Sequence, residues 1–313
     1  SRIGLSEEVL RNSSPKIIET HITAFGWDGP LSSRPGVDPL AQAWMGLQMA
    51  QGGANERPSF LPPVAPTDYT AGALGALGAV IGLYVAEKYG YGQNVQTNLL
   101  NAGCFLTEGD FSLYSGKINR RLSDKNQKGL SDFHRLYKTA DGWIYISAEK
   151  IELANDLLEI VGLSDKYKIC SEFTFFSPAS HSNLGDEIQK VMSIYGTDHW
   201  STALDHKGIA HAPSVSSYDQ FFFEDSQAID NGMIVHCELD SGEKYSYSGN
   251  LIQFDQVKET KFTPTPLLGE QSFEILKEVG LCCALFHDHV VVGPIGVCGP
   301  GIYLAKKSME AQR

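Results

Sequence analysis

The sequence has few basic residues for its length. Among 313 residues it carries 25 lysines and arginines against 37 aspartates and glutamates, which gives a formal net charge of −12 at pH 7. Nucleic acids and anionic membrane surfaces bind proteins through clustered positive charge. The composition therefore argues against both as the main partner, while a small anionic ligand can still bind in a local basic pocket.

Cysteine is also sparse, with six residues scattered along the chain and no Cys-x-x-Cys spacing. This usage is typical of free thiols in a reducing cytosol, so we predict a cytoplasmic protein. Cys282 and Cys283, followed by His287 and His289, match no zinc-binding spacing, and no metal site is predicted. The first ten residues lack the apolar core of a secretion signal.

Several well-known catalytic motifs are absent. The sequence contains no GxSxG elbow, no HExxH pair and no GxxxxGK[ST] phosphate loop. The run GALGALG places its glycines inside an apolar helix, and their spacing does not fit a dinucleotide-binding fingerprint. No tightly bound cofactor is predicted.

What the sequence does contain is alternating strand and helix patterns in a globular composition. Hydrophobic residues make up 42% and charged residues 20%, as in folded chains with a sizeable core. A helix with Ser6 as its N-cap precedes the strand pattern IIETHITAF. The helix PLAQAWMGLQMAQG, a longer helix and the strand pattern QNVQTNLL follow. This alternation predicts an α/β domain with a mainly parallel sheet.

The longer helix is apolar and rich in glycine. The stretch from Tyr69 to Ala86 carries no charge and has about the minimum length of a membrane span. Each interior glycine costs about 1 kcal/mol of helix stability relative to alanine. Glycines recur at spacings of three and four along one face of the helix: Gly72, Gly75, Gly78 and Gly82. We therefore expect another backbone to pack closely on this face, and the helix to be buried on all sides in a soluble protein.

The second half of the chain has a different organisation. A polar stretch from about Ser115 to Asp132 indicates a linker. Two hairpin patterns follow, with turns at Asp141-Gly142 and Ser241-Gly242, and helical patterns lie between them. The segment SFEILKEVG predicts a closing helix, and the tail after Leu281 has no clear assignment.

A single acid, Asp68, lies between the proline-rich stretch FLPPVAPT and the long helix. Like its neighbours Thr67 and Thr70, it is of a residue type that caps helix N-termini. The same position also suits catalysis, because a helix N-terminus favours the charged form of a carboxylate. A fixed carboxylate can then act as a nucleophile in covalent catalysis. Position alone leaves both interpretations open.

Five segments resemble family III CoA-transferases and occur in the same order as in that family. They are SRIGL, AFGWDGPLSSRPGVDPLAQAWMG, PTDYTAGALGALGAVIGLYVAEKYGYGQNVQTNLLNAG, YKTADGWIYIS and PLLGEQSFEILKEVG. The similarity covers roughly residues 1–280, and the block that contains Asp68, with its Gly-x-Gly-Gln turn, is quite specific. The family includes formyl-CoA and carnitine CoA-transferases, with α-methylacyl-CoA racemase as a relative.

The resemblance implies that Asp68 is the catalytic nucleophile of an acyl-CoA:carboxylate CoA-transferase. In that mechanism Asp68 attacks the thioester of an acyl-CoA donor and forms a mixed anhydride. The released CoA thiolate then converts the anhydride to an aspartyl-CoA thioester, and an acceptor carboxylate reverses the two steps. Coenzyme A is thus implied as a co-substrate, and an acyl-CoA donor and a carboxylate acceptor as the small-molecule partners.

The resemblance also assigns binding residues. It places Arg2 beside the CoA phosphates, although a solvent-exposed terminal arginine is an equally good interpretation. It places Gly36, Val37 and Asp38 in a segment that lines the acyl pocket. Racemase relatives carry a catalytic histidine where this chain has Val37, and valine cannot transfer protons. A transferase is therefore expected, with a racemase or isomerase that uses another second base as the alternative.

The resemblance implies a large Rossmann-like α/β domain with a parallel sheet, a smaller central α+β domain, long linkers and an interlocked homodimer. On this basis we predict a large domain at 1–112, a linker at 113–133, the small domain at 134–239, a second linker at 240–263 and a return to the large domain at 264–313. Family members carry about a hundred more residues before RIGL, roughly the size of a small domain. A non-catalytic CoA-binding fragment is therefore a third alternative.

Overall fold

A computed structural model describes most of the chain, which divides into two compact units, residues 1–215 and 216–313. The described residues are 6–53, 57–61, 64–118, 122–123, 126–170, 183–216, 222–238, 242–256, 269–278, 281–286 and 289–294, the last two ranges by their backbone alone.

The first unit begins with a helical layer on a pair of parallel strands. Its elements are α1 (Glu7–Ser13), β1 (Ile18–Thr23), α2 (Asp38–Trp44), α3 (Leu47–Gly52), α4 (Pro66–Tyr89), β2 (Gln93–Asn98) and α5 (Leu99–Leu106). β1 and β2 pair in parallel, with Ile18 opposite Gln93 and Thr23 opposite Asn98. The predicted strands and the Ser6 cap of α1 are confirmed, since the Ser6 side chain accepts a hydrogen bond from the Val9 N–H.

One predicted helix is in fact two. The pattern PLAQAWMGLQMAQG forms α2 and α3, which are separated at Gly46. Gly46 has φ +75°, a left-handed conformation that glycine adopts without the steric penalty of a Cβ atom. The prediction of one uninterrupted helix is therefore wrong, because the chain turns at this glycine.

The glycine face of α4 packs on the sheet, but it meets side chains where we expected a backbone. A Cβ atom on Gly75 would lie 2.8 Å from Ile22 Cδ1, and one on Gly82 would lie 2.9 Å from Ile18 Cγ2. The branched side chains of β1 and β2 thus fill the space that the missing Cβ atoms leave. Because β-branched residues project well from a pleated sheet, close helix–sheet packing is achieved without backbone contact.

The opposite face of α4 is exposed, which corrects the expectation of a helix buried on all sides. Leu77, Val80, Ile81 and Tyr84 recur at spacings of three and four and are each more than half exposed. Among the described residues, α4 is also the one helix long and apolar enough to cross a membrane. Since its glycine face packs on β1 and β2, we describe it as the covering helix of an α/β layer.

The remainder of the first unit is a four-stranded antiparallel sheet covered by helices. Its strands are β3 (Gly129–Ser131), β4 (His134–Lys138), β5 (Trp143–Ser147) and β6 (Ala210–Pro213), in the order β3-β4-β5-β6. Its helices are α6 (Ile151–Ile160), α7 (Leu184–Met192) and α8 (Thr197–His206). Together they enclose a continuous core that includes Phe133, Tyr137, Ile144, Leu157, Leu158, Ile188, Met192, Trp200 and Leu204.

The predicted β4–β5 hairpin is confirmed, and its turn also caps a helix. Asp141 Oδ1 accepts hydrogen bonds from the N–H and the hydroxyl of Thr197, both at 2.8 Å. Gly196, the N-cap residue of α8, has no side chain that could do this. Because the bonds from Thr197 and Thr139 favour the charged form, the pKa of Asp141 is lowered.

The second unit contains two hairpins and two short helices among its described residues. These are α9 (Ser226–Asp230), β7 (Ile234–Glu238), β8 (Lys244–Ser248), α10 (Ser272–Glu278), β9 (Leu281–Phe286) and β10 (His289–Pro294). The antiparallel pairs are β7–β8 and β9–β10. The predicted second hairpin and closing helix are therefore confirmed, and the first part of the unassigned tail forms β9 and β10.

Two glycine substitutions in α4 should change stability in opposite directions. We expect Gly78→Ala to lower the free energy of unfolding by about 1–3 kcal/mol, because its Cβ would lie 2.5 Å from Cγ1 of the stiff Val95 side chain. Gly72→Ala should raise it by about 0.4–1 kcal/mol, since Gly72 has no neighbouring atom within 4 Å of a Cβ. Urea denaturation of both variants measures the difference. Equal effects at the two positions would contradict the packing of this face on β2.

The hydrogen bonds that Asp141 accepts at the start of α8 should make the stability of the protein depend on pH. A carboxyl whose pKa is lowered by folding contributes stability that is complete above the ordinary aspartate pKa and is lost as the pH falls through the lowered value. Thermal melts should therefore show a deficit of Asp141→Asn relative to the unsubstituted protein that is largest near neutral pH and shrinks below about pH 4. A deficit that stays constant over this range would contradict the cap.

Candidate functional site

The first turns of α2 and α4 meet at a buried carboxylate. The N-cap residue of α4, Ala65, has no polar side chain, so the first turn of this helix needs an acceptor from elsewhere. Asp38 supplies it: its Oδ1 accepts hydrogen bonds from the N–H of Thr67 at 2.8 Å and from the Thr67 hydroxyl at 2.6 Å. Asp38 is 3% exposed and Thr67 is fully buried. The start of α4 is therefore fixed to the start of α2.

The second oxygen of Asp38 is held as well. The Gln42 side chain, one turn further along α2, donates a hydrogen bond from Nε2 to Asp38 Oδ2. Gln42 Oε1 in turn accepts a bond from Gln51 Nε2 on α3 at 3.3 Å. Both oxygens of Asp38 therefore have hydrogen-bond partners, as buried polar atoms need. This chain of hydrogen bonds keeps the carboxylate in one orientation.

Asp68 directly follows the anchored Thr67. It is the third residue of α4, lies in its first turn and is exposed. Among the residues that the structure describes, none donates a hydrogen bond to its carboxyl group. The capping interpretation of Asp68 is thus wrong: the N-cap position belongs to Ala65, and the capping side chain is that of Asp38. The Asp68 carboxyl remains accessible to a ligand.

The electrostatic environment of Asp68 differs from the one that we expected. The pKa of its carboxyl is raised above the ordinary aspartate value, first by desolvation and second by the negative charge of Asp38. A helix N-terminus favours the ionised form. Partial shielding from water and the neighbouring acid outweigh this effect, although the side chain is exposed.

The packing of α4 locates Asp68 relative to the sheet. Gly82 lies against Ile18 and Gly75 against Ile22, so α4 runs antiparallel to β1. The first turn of α4 therefore points toward the carboxyl ends of the parallel strands. Open α/β sheets bind ligands at this edge, which makes the surroundings of Asp68 the natural candidate site.

Two of the other predicted binding residues lie next to Asp38. Gly36 has no room for a side chain, because a Cβ atom there would lie 2.8 Å from Cε2 of the Phe25 ring. Val37 is the N-cap residue of α2 in an extended conformation, and 59% of it is exposed. The structure thus brings Val37, Asp38 and Asp68 into one region. Arg2 lies outside the described residues, so its predicted role stays a prediction.

The structure describes the side chains of three of the six cysteines, and of some of the other residues that can bind metals. Cys104, Cys170 and Cys237 are free thiols. Among the side chains that the structure describes, no group of three or more His, Cys, Asp or Glu residues is arranged to hold a metal ion. The Cys282, Cys283, His287 and His289 side chains lie outside that set.

Sequence reasoning missed two residues of this site. Thr67 was considered only as a helix cap, and Gln42 was not considered at all. Gln42 lies four residues after Asp38 in a helix, and Gln–Asp pairs at this spacing interact on a helix surface. That spacing could have identified Gln42. No local pattern points to the Asp38–Thr67 contact, because 29 positions separate the two residues.

Comparison with known proteins agrees with the resemblance described above. The chain is 28% identical over 286 residues to the succinyl-CoA:glutarate CoA-transferase of Mus musculus, and the match covers 89% of this chain and 64% of that protein. The Homo sapiens protein of the same name is 29% identical over 293 residues, with 89% and 63% covered. The chain thus spans less than two thirds of the length of these relatives.

Solved structures support the α/β fold. The crystal structure of a CaiB/BaiF family protein from Brucella suis matches with a TM-score of 0.71 at 21% identity, over 89% of this chain and 72% of that one. The family described as "CoA-transferase family III" matches residues 1–272, which is most of the sequence. The chain therefore belongs to family III of the CoA-transferases.

Proposed function

We propose that this chain carries the nucleophile of an acyl-CoA:carboxylate CoA-transferase, and that the nucleophile is Asp68. The observation that carries the proposal is an accessible carboxyl group next to a residue whose position is held by hydrogen bonds. Asp68 is exposed at the carboxyl edge of the sheet, while the residue before it, Thr67, donates two hydrogen bonds to the buried carboxylate of Asp38. Family membership supplies the reaction class for which such a carboxyl is suited.

The proposed reaction uses the Asp68 carboxylate twice. It attacks the thioester carbonyl of the donor, the C–S bond breaks, and a mixed aspartyl anhydride and CoA thiolate form. The thiolate attacks the aspartyl carbonyl, which releases the donor acid and leaves an aspartyl-CoA thioester. An acceptor carboxylate attacks this thioester, which breaks the C–S bond, releases the thiolate and forms a second mixed anhydride; the thiolate then attacks the acceptor carbonyl of this anhydride. The new acyl-CoA leaves, and the Asp68 carboxylate is regenerated.

Every step exchanges one activated acyl group for another, so the cycle needs neither ATP nor a tightly bound cofactor. Coenzyme A takes part as a co-substrate. Two relatives are named for succinyl-CoA and glutarate, and we propose succinyl-CoA as the first donor to test on this chain. Arg2 beside the CoA phosphates and the segment of Gly36, Val37 and Asp38 along the acyl pocket complete the proposed site; within this segment Val37 is exposed and Asp38 is buried.

We also propose that the functional protein is an interlocked homodimer in the cytoplasm. The exposed apolar face of α4 supports the dimer, because a second copy would remove Leu77, Ile81 and Tyr84 from water. The proposed large domain at 1–112, small domain at 134–239 and return segment at 264–313, with linkers between them, suit such an arrangement.

Two alternatives stay open. A racemase or isomerase would use Asp68 with a second base other than Val37, because valine, which occupies the position at which racemase relatives carry histidine, cannot transfer protons. A non-catalytic CoA-binding module is the other alternative, since the chain spans less than two thirds of its named relatives. The following two experiments separate these alternatives from the transferase.

Acyl transfer to Asp68 can be trapped directly. Incubation with succinyl-CoA and a hydroxylamine quench should convert Asp68 to its hydroxamate, which peptide mass spectrometry detects, because both proposed intermediates are acylating agents. Asp68→Asn should form no hydroxamate at this position. Glu87→Gln, at the exposed far end of the same helix, should react like the unsubstituted protein. Absence of the hydroxamate with a panel of acyl-CoA donors would contradict the transferase.

Exchange of the α-hydrogen separates transferase from racemase. In deuterium oxide, we expect no deuterium at the α-carbon of recovered acyl-CoA, because the transferase reaction does not break that C–H bond. A racemase must exchange this proton through its two bases. Deuterium incorporation that disappears in Asp68→Asn would favour the racemase alternative. Mass spectrometry of the recovered acyl-CoA measures the exchange.

A further inference from the structure

The bond between Asp38 and Thr67 controls the backbone immediately before the proposed nucleophile. Thr67 donates both its N–H and its hydroxyl to a single oxygen, Asp38 Oδ1, at 2.8 and 2.6 Å. Rotation of the Thr67 backbone would break the first bond, and rotation of its side chain would break the second. The peptide plane that joins Pro66 to Thr67 and the Thr67 side chain are therefore both held by a residue of another helix, directly before Asp68.

Two further features keep the acceptor itself in place. Gln42 is fully buried and holds the second oxygen of Asp38, so the carboxylate cannot turn away from Thr67. Asp38 is also the first residue of α2, and α2 packs against α4 and α5 through the small residues Ala41, Ala71 and Ala102. These short side chains bring the helix axes close together, which places the Asp38 carboxylate within reach of the first turn of α4.

We propose that Asp38 is a positioning residue for the reaction at Asp68: through Thr67, it sets the direction in which the Asp68 carboxylate meets the thioester carbonyl. This inference rests on the proposed function of Asp68. It gives Asp38 a role different from contact with the acyl group, because both of its oxygens are engaged inside the protein. Misplacement of a reacting group by about 1 Å can slow a reaction by about 100-fold, so such an anchor has a measurable effect.

The charge of Asp38 provides a readout that the loss of a cap elsewhere in the protein would not give. Among the described residues, Asp38 is the charged group that acts on Asp68, and it raises the pKa of the Asp68 carboxyl in addition to the larger effect of desolvation. Replacement by asparagine keeps an oxygen acceptor for Thr67 and removes the charge. The pKa of Asp68 should then fall toward the ordinary aspartate value.

The chain offers a matched control for the anchor. Asp141 accepts the N–H and the hydroxyl of Thr197 at the first turn of α8, as Asp38 does with Thr67 at α4. It lies in the hairpin turn of the antiparallel sheet and has no place in the proposed site. Asp141→Asn therefore perturbs the same kind of cap and leaves the hydrogen bonds between Asp38 and Thr67 unchanged.

The experiment compares Asp38→Asn, Thr67→Val and Asp141→Asn with the unsubstituted protein. The first measurement is the rate of Asp68 hydroxamate formation at saturating succinyl-CoA, as a function of pH. The second, which needs no acyl-CoA, is the carbon-13 NMR titration of aspartate carboxyl groups, with the Asp68 resonance assigned by its loss in Asp68→Asn. Thermal melts report the folding of every variant.

We expect Asp38→Asn to form the hydroxamate about 10- to 100-fold more slowly, with the midpoint of the Asp68 titration shifted to lower pH. Thr67→Val keeps the N–H bond and loses the hydroxyl bond, so its rate should fall less and its titration should not shift toward lower pH. This variant also tests the anchor if Asp38→Asn fails to fold. Asp141→Asn should lower the melting temperature and leave both the rate and the titration of Asp68 unchanged.

Three results would overturn the inference. Asp38→Asn with the rate and titration of the unsubstituted protein would show that the anchor does not act on Asp68. An equal loss of rate in Asp38→Asn and Asp141→Asn would assign the effect to general destabilisation. An unshifted Asp68 titration in Asp38→Asn would exclude the electrostatic link. If the unsubstituted protein forms no hydroxamate although the titration shifts, the proposed function of Asp68 fails, and with it the catalytic role of the anchor.

Discussion

The hydrogen bonds from Thr67 to Asp38 hold the candidate site together. A helix leaves its first N–H groups without partners, and α4 begins with Ala65 and Pro66, neither of which has a side chain that can accept a bond. The acceptor comes from a residue 29 positions away. Without it, the N–H and the hydroxyl of Thr67 would be buried without a hydrogen-bond partner, which would cost about 1–3 kcal/mol of stability for each group. One carboxylate thereby determines where α4 begins, and Asp68 follows one residue later.

A second constraint directs this helix over the sheet. The glycines of α4 admit Ile18, Ile22 and Val95, so the helix lies close to β1 and β2 and runs antiparallel to β1. Asp68 is thus brought to the carboxyl edge of the strands, where α/β proteins bind their ligands. The anchor at Asp38 determines the position of the proposed nucleophile along the helix, and the glycine face determines the position of the helix on the sheet. Both are needed to present a single exposed acid.

Local sequence patterns predicted the parts of this arrangement that depend on neighbouring residues. Strand periodicity identified β1 and β2, turn residues identified the two hairpins, and Ser6 identified the start of α1. The patterns failed where contacts between distant residues determine the structure. They offered a capping role for Asp68 that belongs to Asp38, and they anticipated a backbone where isoleucine and valine side chains pack. They also missed the local break at Gly46, which depends on its left-handed backbone conformation. The identification of Asp68 as a functional candidate came from family resemblance, because its position alone fits a cap equally well.

The transfer of an oxygen atom tests the central claim most directly. An acceptor carboxylate labelled with oxygen-18 must leave one labelled oxygen in the nucleophile, because it attacks the aspartyl thioester through one oxygen and then loses its acyl group to CoA. After a single turnover with succinyl-CoA and labelled glutarate, peptide mass spectrometry should find one oxygen-18 in the Asp68 side chain, and further turnovers should add a second. Formation of labelled acyl-CoA without oxygen-18 at Asp68 would contradict its role as the nucleophile.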